Sequence, residues 1–176
     1  MIIGGVVLNY KRLSYFFYAV IALAPNSVLG INVGDTSPQI IGRNLSGDLF
    51  ALTQLANKPK LINFFWVDCA PCKRELPLLA KKEIEYPNVI FSAVHAEINY
   101  ETDENYTLSD LGGFTKKLIA HPKSLVLASY RIKKQFGLKG FPANLLLDKN
   151  NKIEKILYGF NERNIEIINA WLAKQE

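Results

Sequence analysis

The sequence predicts an α/β protein with a central mixed sheet flanked by helices, and two observations predict this class. In the first half of the chain, two apolar runs stand on either side of an amphipathic stretch, which is typical of a strand–helix–strand unit with buried parallel strands. In the second half, two short apolar runs separated by a polar turn precede another amphipathic stretch, which indicates an antiparallel hairpin and a closing helix.

The first predicted strand covers residues 60–67, KLINFFWV, which are nearly all apolar or aromatic. Residues 72–86 follow with the spacing of an amphipathic helix. The apolar positions on one face of that helix are Leu76, Leu79, Ala80 and Ile84. A second buried strand is predicted at 88–96, NVIFSAVHA, and a helical crossover of this kind joins parallel strands.

The middle of the chain predicts a helical excursion over residues 97–120, with a helix within 106–120. The run SLVLA at 124–128 is a short apolar piece. A basic helix comes next and is predicted to end at Gly137, a residue type that favours helix C-termini. The apolar positions of this basic helix are Tyr130, Ile132 and Phe136.

The last part of the chain predicts two strands around a turn at residues 148–151, followed by the closing helix. The apolar face of the closing helix consists of Ile165, Ile168, Trp171 and Leu172. The order of elements is therefore strand, helix, strand, a helical excursion, and then two strands and a helix.

Residues 1–30 are predicted to be a signal peptide or an N-terminal membrane anchor. Two cations, Lys11 and Arg12, precede an apolar run of about a dozen residues, which Pro25 and small residues follow. That run is shorter than the roughly 20 residues that a membrane-spanning helix needs, which favours cleavage. Residues 31–176 are then one domain. Without Lys11 and Arg12, the domain has 19 Lys and Arg against 16 Asp and Glu, and a net charge of +3 is too small to indicate nucleic-acid binding.

The only two cysteines, Cys69 and Cys72, stand between the first predicted strand and its helix. At a helix N-terminus the backbone N–H groups and the helix dipole favour a thiolate, so Cys69 is predicted to be the attacking thiol. Cys72 lies one turn inside the helix, is less accessible, and is predicted to be the resolving thiol. Pro71 is tolerated in the first turn and stiffens it.

Two other interpretations of the cysteine pair carry less weight. A zinc site needs about four protein ligands, and the remaining candidates, His95 and His121, follow no usual ligand spacing. A purely structural disulfide across so short a loop would stabilise the fold little, because loop-closure stabilisation grows with loop length. Redox exchange is therefore the favoured function of the pair.

The run LINFFWVDCAPCKRELP at 61–77 resembles the thioredoxin superfamily, and within it the TlpA/ResA/DsbE type of extracytoplasmic thiol:disulfide oxidoreductase. The residues that match the pattern are Asn63, Phe64, Cys69, Pro71, Cys72, Glu75, Leu76 and Pro77. The stretches VGDTSP and GFPANLLLD also resemble this family. The resemblance implies a thioredoxin-like fold over 31–176, with an N-terminal hairpin extension and a helical insertion in the middle.

The resemblance also implies roles for individual residues. Pro142 would follow a cis peptide bond beside the disulfide and belong with the catalytic residues Cys69, Cys72 and Glu75. Glu75 is either a helix-surface carboxylate or the group that handles the proton of the resolving thiol. The implied substrate-binding residues are Phe141, Pro71 and Trp66.

Several other residues bear on the site. Asp68 stands where the family usually has Trp, and its carboxylate is expected either to oppose the thiolate of Cys69 or to be an ordinary loop residue. Asn63 would be structural if it is a core amide bonded to the backbone, and His95, at a strand end, is expected to be packed or hydrogen-bonded rather than catalytic. Lys133 and Lys134 are expected to form a solvated helix face.

The predicted function is that of an extracytoplasmic thiol:disulfide oxidoreductase without cofactor, metal ion or nucleic-acid partner. The resemblance favours a reductase of protein disulfides such as those of apocytochrome c, with a membrane thiol-transfer reductase as electron donor. The same residues would also serve a periplasmic dithiol oxidase or isomerase. A non-enzymatic chaperone or metal-delivery module on the same scaffold is the alternative from another functional class.

Overall fold

The structure is a computed structural model that describes residues 30–55, 57–99, 104–129 and 131–175. Nearly all of the predicted signal segment, as well as Tyr130, lies outside these residues. Within the described ranges, no helix has the length and the apolar character that crossing a lipid bilayer requires.

A seven-stranded mixed sheet forms the centre of the fold, and the prediction of a thioredoxin-like fold is confirmed. Its strands are β1 (Ile41–Asn44), β2 (Leu49–Ala51), β3 (Lys60–Phe65), β4 (Ile90–His95), β7 (Ser124–Ala128), β8 (Ala143–Leu147) and β9 (Ile153–Tyr158). The order across the sheet is β2-β1-β7-β4-β3-β8-β9. A separate pair, β5 (Ile98–Asn99) and β6 (Glu104–Asn105), was not predicted. The helices are α1 (Ala70–Glu85), α2 (Leu108–Thr115), α3 (Arg131–Gln135) and α4 (Glu162–Leu172).

Strand β3 occupies the middle of the sheet and explains its mixed character. It pairs in parallel with β4, as the strand–helix–strand pattern predicted, and antiparallel with β8. Every residue of β3 is buried, including Lys60 and Asn63, as expected of a mostly apolar strand covered on both faces. In the register with β8, Asn63 lies directly opposite Asn144. This pairing brings two polar side chains together inside an otherwise apolar layer.

The short apolar run at 124–128 is strand β7, which lies between β4 and the N-terminal hairpin β1–β2. The hairpin turns at Gly47, whose positive φ of 87° suits a glycine. Gly42 in β1 lies so close to β7 that a Cβ there would come within 2.5 Å of the carbonyl oxygen of Leu127. The predicted hairpin is therefore an extension of the main sheet.

Helix α1 begins at Ala70, two residues earlier than predicted, because Cys69 serves as its N-cap. Leu76, Leu79 and Ala80 are buried as predicted. Ile84 is 77% exposed, so its assignment to the apolar face was wrong. Helical spacing shows which direction a side chain points, but it does not show where along the helix the contact with the rest of the protein ends.

The insertion contains a shorter helix than predicted, α2, which ends at Thr115. A capping box defines its start: the Thr107 side chain accepts from the N–H of Asp110, and the Asp110 carboxylate accepts from the N–H of Thr107. The Thr107 hydroxyl also donates to the Asp110 carboxylate, and this hydrogen bond, together with the one from the Thr107 N–H, lowers the pKa of Asp110. Leu111 and Phe114 bury the inner face of the helix, and the insertion thus packs onto the domain.

Candidate active site

Cys69 and Cys72 form a disulfide at the junction between β3 and α1, with an S–S distance of 1.97 Å. Cys69 is the N-cap of α1, and its Sγ accepts a hydrogen bond of 3.2 Å from the backbone N–H of Cys72. Cys69 is 5% exposed, whereas Cys72 is 0% exposed. Cys69, the predicted attacking cysteine, is therefore the more accessible of the two. Its sulfur lies where the helix dipole favours negative charge.

Local backbone contacts shape this junction. The N–H of Cys69 donates to the carbonyl of Trp66, and the N–H of Lys73 donates to the carbonyl of Cys69. Pro71 lies in the first turn of α1, where its missing N–H costs the helix no internal hydrogen bond. The chain thus turns out of a buried strand and enters the helix within four residues.

The peptide bond between Phe141 and Pro142 is cis, as the resemblance implied. Both cysteines belong to one buried cluster, and Phe141 and Trp66 pack against that cluster as half-buried side chains. The structure therefore brings the predicted substrate-binding residues Phe141 and Trp66 to the buried cluster that contains the dithiol. The carbonyl of Pro142 accepts from the N–H of Gly159, which joins this loop to the end of β9.

Glu75 lies one helical turn after Cys72 and is 1% exposed, so its interpretation as a helix-surface carboxylate was wrong. Its Oε2 accepts a hydrogen bond of 2.8 Å from Nδ2 of Asn63, and its Oε1 accepts one of 2.9 Å from Nδ2 of Asn144. Burial raises the pKa of Glu75 to about 7, although the two amide hydrogen bonds oppose the rise. The carboxyl group can therefore hold or release a proton near neutral pH.

The Asn63 side chain bonds to other side chains and not to the backbone, so the backbone-bonded core amide is not what the structure shows. Its Nδ2 also donates to Oδ1 of Asn144 at 2.8 Å, so the three polar side chains form one closed network. Asn144 was missed in the sequence analysis. The available signal was an amide within each of two apolar runs that were predicted to be strands, but only the register of β3 and β8 makes the two amides neighbours.

Asp68 precedes Cys69 and is exposed, and the hydroxyl of Tyr106 donates to its Oδ2 at 2.9 Å. Tyr106 also packs edge-on against His95, with ring centroids 4.7 Å apart. His95 is fully buried, as expected, but neither ring nitrogen has a hydrogen-bond partner among the residues that the structure describes. Burial lowers the pKa of His95 to about 4, so the ring is neutral at physiological pH.

A groove of about 430 Å³ lies between the active-site turn and α2. Asp68 and Lys73 line it from the side of the disulfide, and Tyr106, Asp110 and Lys117 line it from the insertion. The groove thus offers charges of both signs beside Cys69.

Lys133 is only partly solvated, with 37% of its side chain exposed, and it makes contacts that the expectation of a solvated face did not include. Its Nζ lies 2.5 Å from Oε2 of Glu97 and 5.6 Å from the centre of the Phe141 ring. Lys134, its neighbour on α3, is exposed as expected. Among the residues that the structure describes, no group of three or more His, Cys, Asp or Glu side chains could hold a metal ion.

Known proteins resemble this chain over most of its length. The AhpC/TSA family model matches residues 33–156. The thiol-disulfide oxidoreductase ResA of Geobacillus thermodenitrificans is 26% identical over 129 residues, which are 73% of this chain and 71% of the relative. The thioredoxin-like protein YneN of Bacillus subtilis is 24% identical over 133 residues, 74% of each chain.

A solved structure assigned as the thiol:disulfide interchange protein DsbE of Chlorobium tepidum has a TM-score of 0.68 at 18% identity. The structural match covers 83% of this chain and 99% of the Chlorobium tepidum chain. The predicted resemblance to ResA- and DsbE-type proteins is therefore confirmed, as is the predicted enzyme class, a thiol:disulfide oxidoreductase. Because the AhpC/TSA family model matches most of its length, the chain belongs to the AhpC/TSA family of thioredoxin-like proteins.

Proposed function

We propose that the protein is an extracytoplasmic reductase of protein disulfides, such as those of apocytochrome c during cytochrome c maturation. The observation that carries the proposal is the position of the disulfide, with Cys69 at the N-cap of α1 and Cys72 buried behind it. A sulfur at that N-cap is stabilised as a thiolate and is reachable by a partner, and the second sulfur is held ready for the intramolecular step.

In the proposed reaction, the thiolate of Cys69 attacks one sulfur of a substrate disulfide. A mixed disulfide forms while the substrate S–S bond breaks, and the departing substrate thiolate takes up a proton. The thiolate of Cys72 then attacks Sγ of Cys69 and releases the second substrate thiol. Two electrons have passed to the substrate, and the Cys69–Cys72 disulfide is the oxidised product.

Glu75 serves the second step as a general base for Cys72. Its pKa of about 7 suits a group that exchanges protons near neutral pH, and it lies one turn along α1 from the resolving thiol. Asn63 and Asn144 orient the carboxylate through the hydrogen bonds that both of its oxygens accept.

The substrate binds beside the disulfide as an extended chain. Backbone groups at Phe141, next to cis-Pro142, would pair with that chain as one strand pairs with another. The side chains of Phe141, Trp66 and Pro71 form the apolar wall of the cleft. Phe141 and Trp66 pack against the buried cluster that contains both cysteines, and Pro71 lies between the cysteines in the first turn of α1, which supports this role. The groove between the active-site turn and α2 provides room for the substrate on the other side of Cys69.

The proposed cellular setting is supported by the leader-like residues 1–30. A reductase outside the cytoplasm needs a source of electrons, and a membrane thiol-transfer reductase would supply them to the Cys69–Cys72 disulfide. Residues 1–30 act as a signal peptide or as an anchor that keeps the domain at the membrane.

The equilibrium reduction potential tests the direction of electron flow. We expect the full-length protein, equilibrated with glutathione or dithiothreitol buffers, to have a potential near about −270 mV or below, as thioredoxin does. A potential near about −120 mV would identify an oxidase and overturn the assignment as a reductase.

Replacement of the resolving thiol tests whether the protein is an enzyme or a binding module. We expect Cys72→Ala to accumulate mixed disulfides through Cys69 that dithiothreitol reverses, because the resolving step is lost. Cys69→Ala is the matched control and should trap few or none. A Cys72→Ala protein that retains clients without a reducible link would instead indicate a chaperone or metal-delivery module.

A further inference from the structure

Lys133 connects a buried carboxylate to the aromatic ring beside the disulfide. Glu97, just after β4, is 7% exposed, and Nζ of Lys133 lies 2.5 Å from its Oε2. The same ammonium lies 5.6 Å from the centre of the Phe141 ring, and the Lys133 side chain is 37% exposed. Three separate parts of the chain therefore meet at this cation.

The ion pair restricts where the ammonium can lie. A carboxylate that is removed from water requires a compensating cation, so Glu97 holds the end of the otherwise flexible Lys133 side chain. An ammonium within about 6 Å of a ring centroid is attracted to the face of the ring. Because Glu97 fixes the ammonium of Lys133, the ammonium in turn restricts the position of the Phe141 ring.

The ring of Phe141 needs such support because it is only half-buried. The ring packs against the cluster that contains both cysteines, and the backbone of Phe141 forms the cis peptide bond with Pro142. A ring that turns freely at this position would have to be ordered each time a substrate chain binds, which weakens binding.

We propose that Lys133 is a positioning residue for substrate binding, which holds the Phe141 ring at the wall of the dithiol cleft through its ion pair with Glu97. The inference rests on the proposed function, since it assigns Lys133 to the binding of extended protein substrates. It predicts an effect on substrate affinity and none on the redox chemistry of Cys69 and Cys72.

The test compares Lys133→Met with Lys134→Met, because Lys134 is the adjacent cation on the same short helix and is exposed. The reduced full-length proteins are mixed with a disulfide-bonded peptide that contains a haem-binding Cys-x-x-Cys-His sequence, and the rate of peptide reduction is followed to saturation. We expect Lys133→Met to raise the half-saturating peptide concentration about 3- to 10-fold with an unchanged limiting rate. Lys134→Met should match the wild type.

Two further readouts separate positioning from a change in the dithiol. The reduction potential and the rate with a small disulfide, oxidised β-mercaptoethanol, should be the same in all three proteins. In a Phe141→Leu background, Lys133→Met should no longer change the half-saturating concentration, because the ring that it positions is gone.

Lys133→Met leaves Glu97 buried without this cation, so misfolding is a competing cause of weaker binding. The double variant Glu97→Gln/Lys133→Met removes both charges. We expect it to recover thermal stability but to keep the raised half-saturating concentration, and recovery of wild-type affinity would overturn the inference.

The inference also fails if Lys133→Met and Lys134→Met bind the peptide equally well while the wild type reduces it, and the proposed function then stands. A wild-type protein that reduces the small disulfide but not the peptide overturns both.

Discussion

Asn63 on β3 donates a hydrogen bond of 2.8 Å to Oε2 of Glu75 on α1, which joins the centre of the sheet to the helix that begins at the disulfide. Both residues are at most 1% exposed. Asn144 completes the network from β8. Hydrogen bonds to both oxygens lower the free-energy cost of burying the Glu75 carboxyl group. The group remains ionisable near neutral pH.

The network predicts a stability that depends on pH. The pKa of Glu75 rises from 4.5 to about 7 on folding, so the native state keeps a proton that the unfolded chain has already released. The contribution is fully present below pH 4.5 and is lost as the pH rises through 7. At about 1.4 kcal/mol for each pKa unit, the loss amounts to about 3 kcal/mol.

Urea unfolding of the oxidised protein and of its Glu75→Gln variant between pH 4.5 and 8 measures this loss. Buried His95 contributes the opposite slope, because its pKa is lowered to about 4. The difference between the two proteins cancels the contribution of His95, and we expect that difference to change by about 3 kcal/mol over the range. Parallel curves would show that Glu75 does not titrate in this way.

Glu75→Gln also tests the proposed role of the carboxylate as a base. We expect the resolving attack by Cys72 on a mixed disulfide to slow about 100-fold, and the rise of its rate around pH 7 to disappear. The rate of thiol release from a preformed mixed disulfide on Cys69 gives the measurement. Glu85→Gln, on an exposed part of the same helix, is the control and should keep the wild-type profile.

The sequence predicts the main elements of the fold because their cause is local. The continuous apolar strand β3, the amphipathic face of α4 and the turn before β9 can all be recognised from hydrophobic periodicity and turn residues. Cys69 and Cys72 are likewise recognisable, because their spacing at a helix start is itself the signal.

The contacts around the cysteines depend on pairings that no local pattern contains. Asn63 meets Asn144 across 81 residues of sequence, and Lys133 meets Glu97 across 36. A lysine on a short basic helix is expected to be solvated, and only the tertiary structure brings it to a buried carboxylate. The sequence thus predicts the reactive groups more readily than the residues that orient them.

Asp68 is predicted to disfavour the thiolate form of Cys69 and thereby to lower the reactivity of this cysteine. Its carboxylate precedes the attacking cysteine, and like charges in water repel by at most about 1 kcal/mol at contact distances. We therefore expect Asp68→Asn to raise the rate of Cys69 alkylation by iodoacetamide at pH 6 about 2- to 5-fold, and less in 1 M salt. Glu166→Gln, exposed on α4, is the control. An unchanged rate would make Asp68 an ordinary loop residue.

Tyr106 is predicted to couple the insertion to the active-site turn, since its hydroxyl donates to Asp68 at 2.9 Å. We expect Tyr106→Phe to lower the free energy of unfolding by about 1 kcal/mol, because the ring contact with His95 remains while the hydrogen bond to Asp68 is lost. In an Asp68→Ala background the same substitution should cost almost nothing, because the acceptor is already absent. Urea unfolding of the four proteins closes this double-mutant cycle. If the free-energy changes of Tyr106→Phe and Asp68→Ala simply add in the double variant, the hydrogen bond does not couple the insertion to the turn.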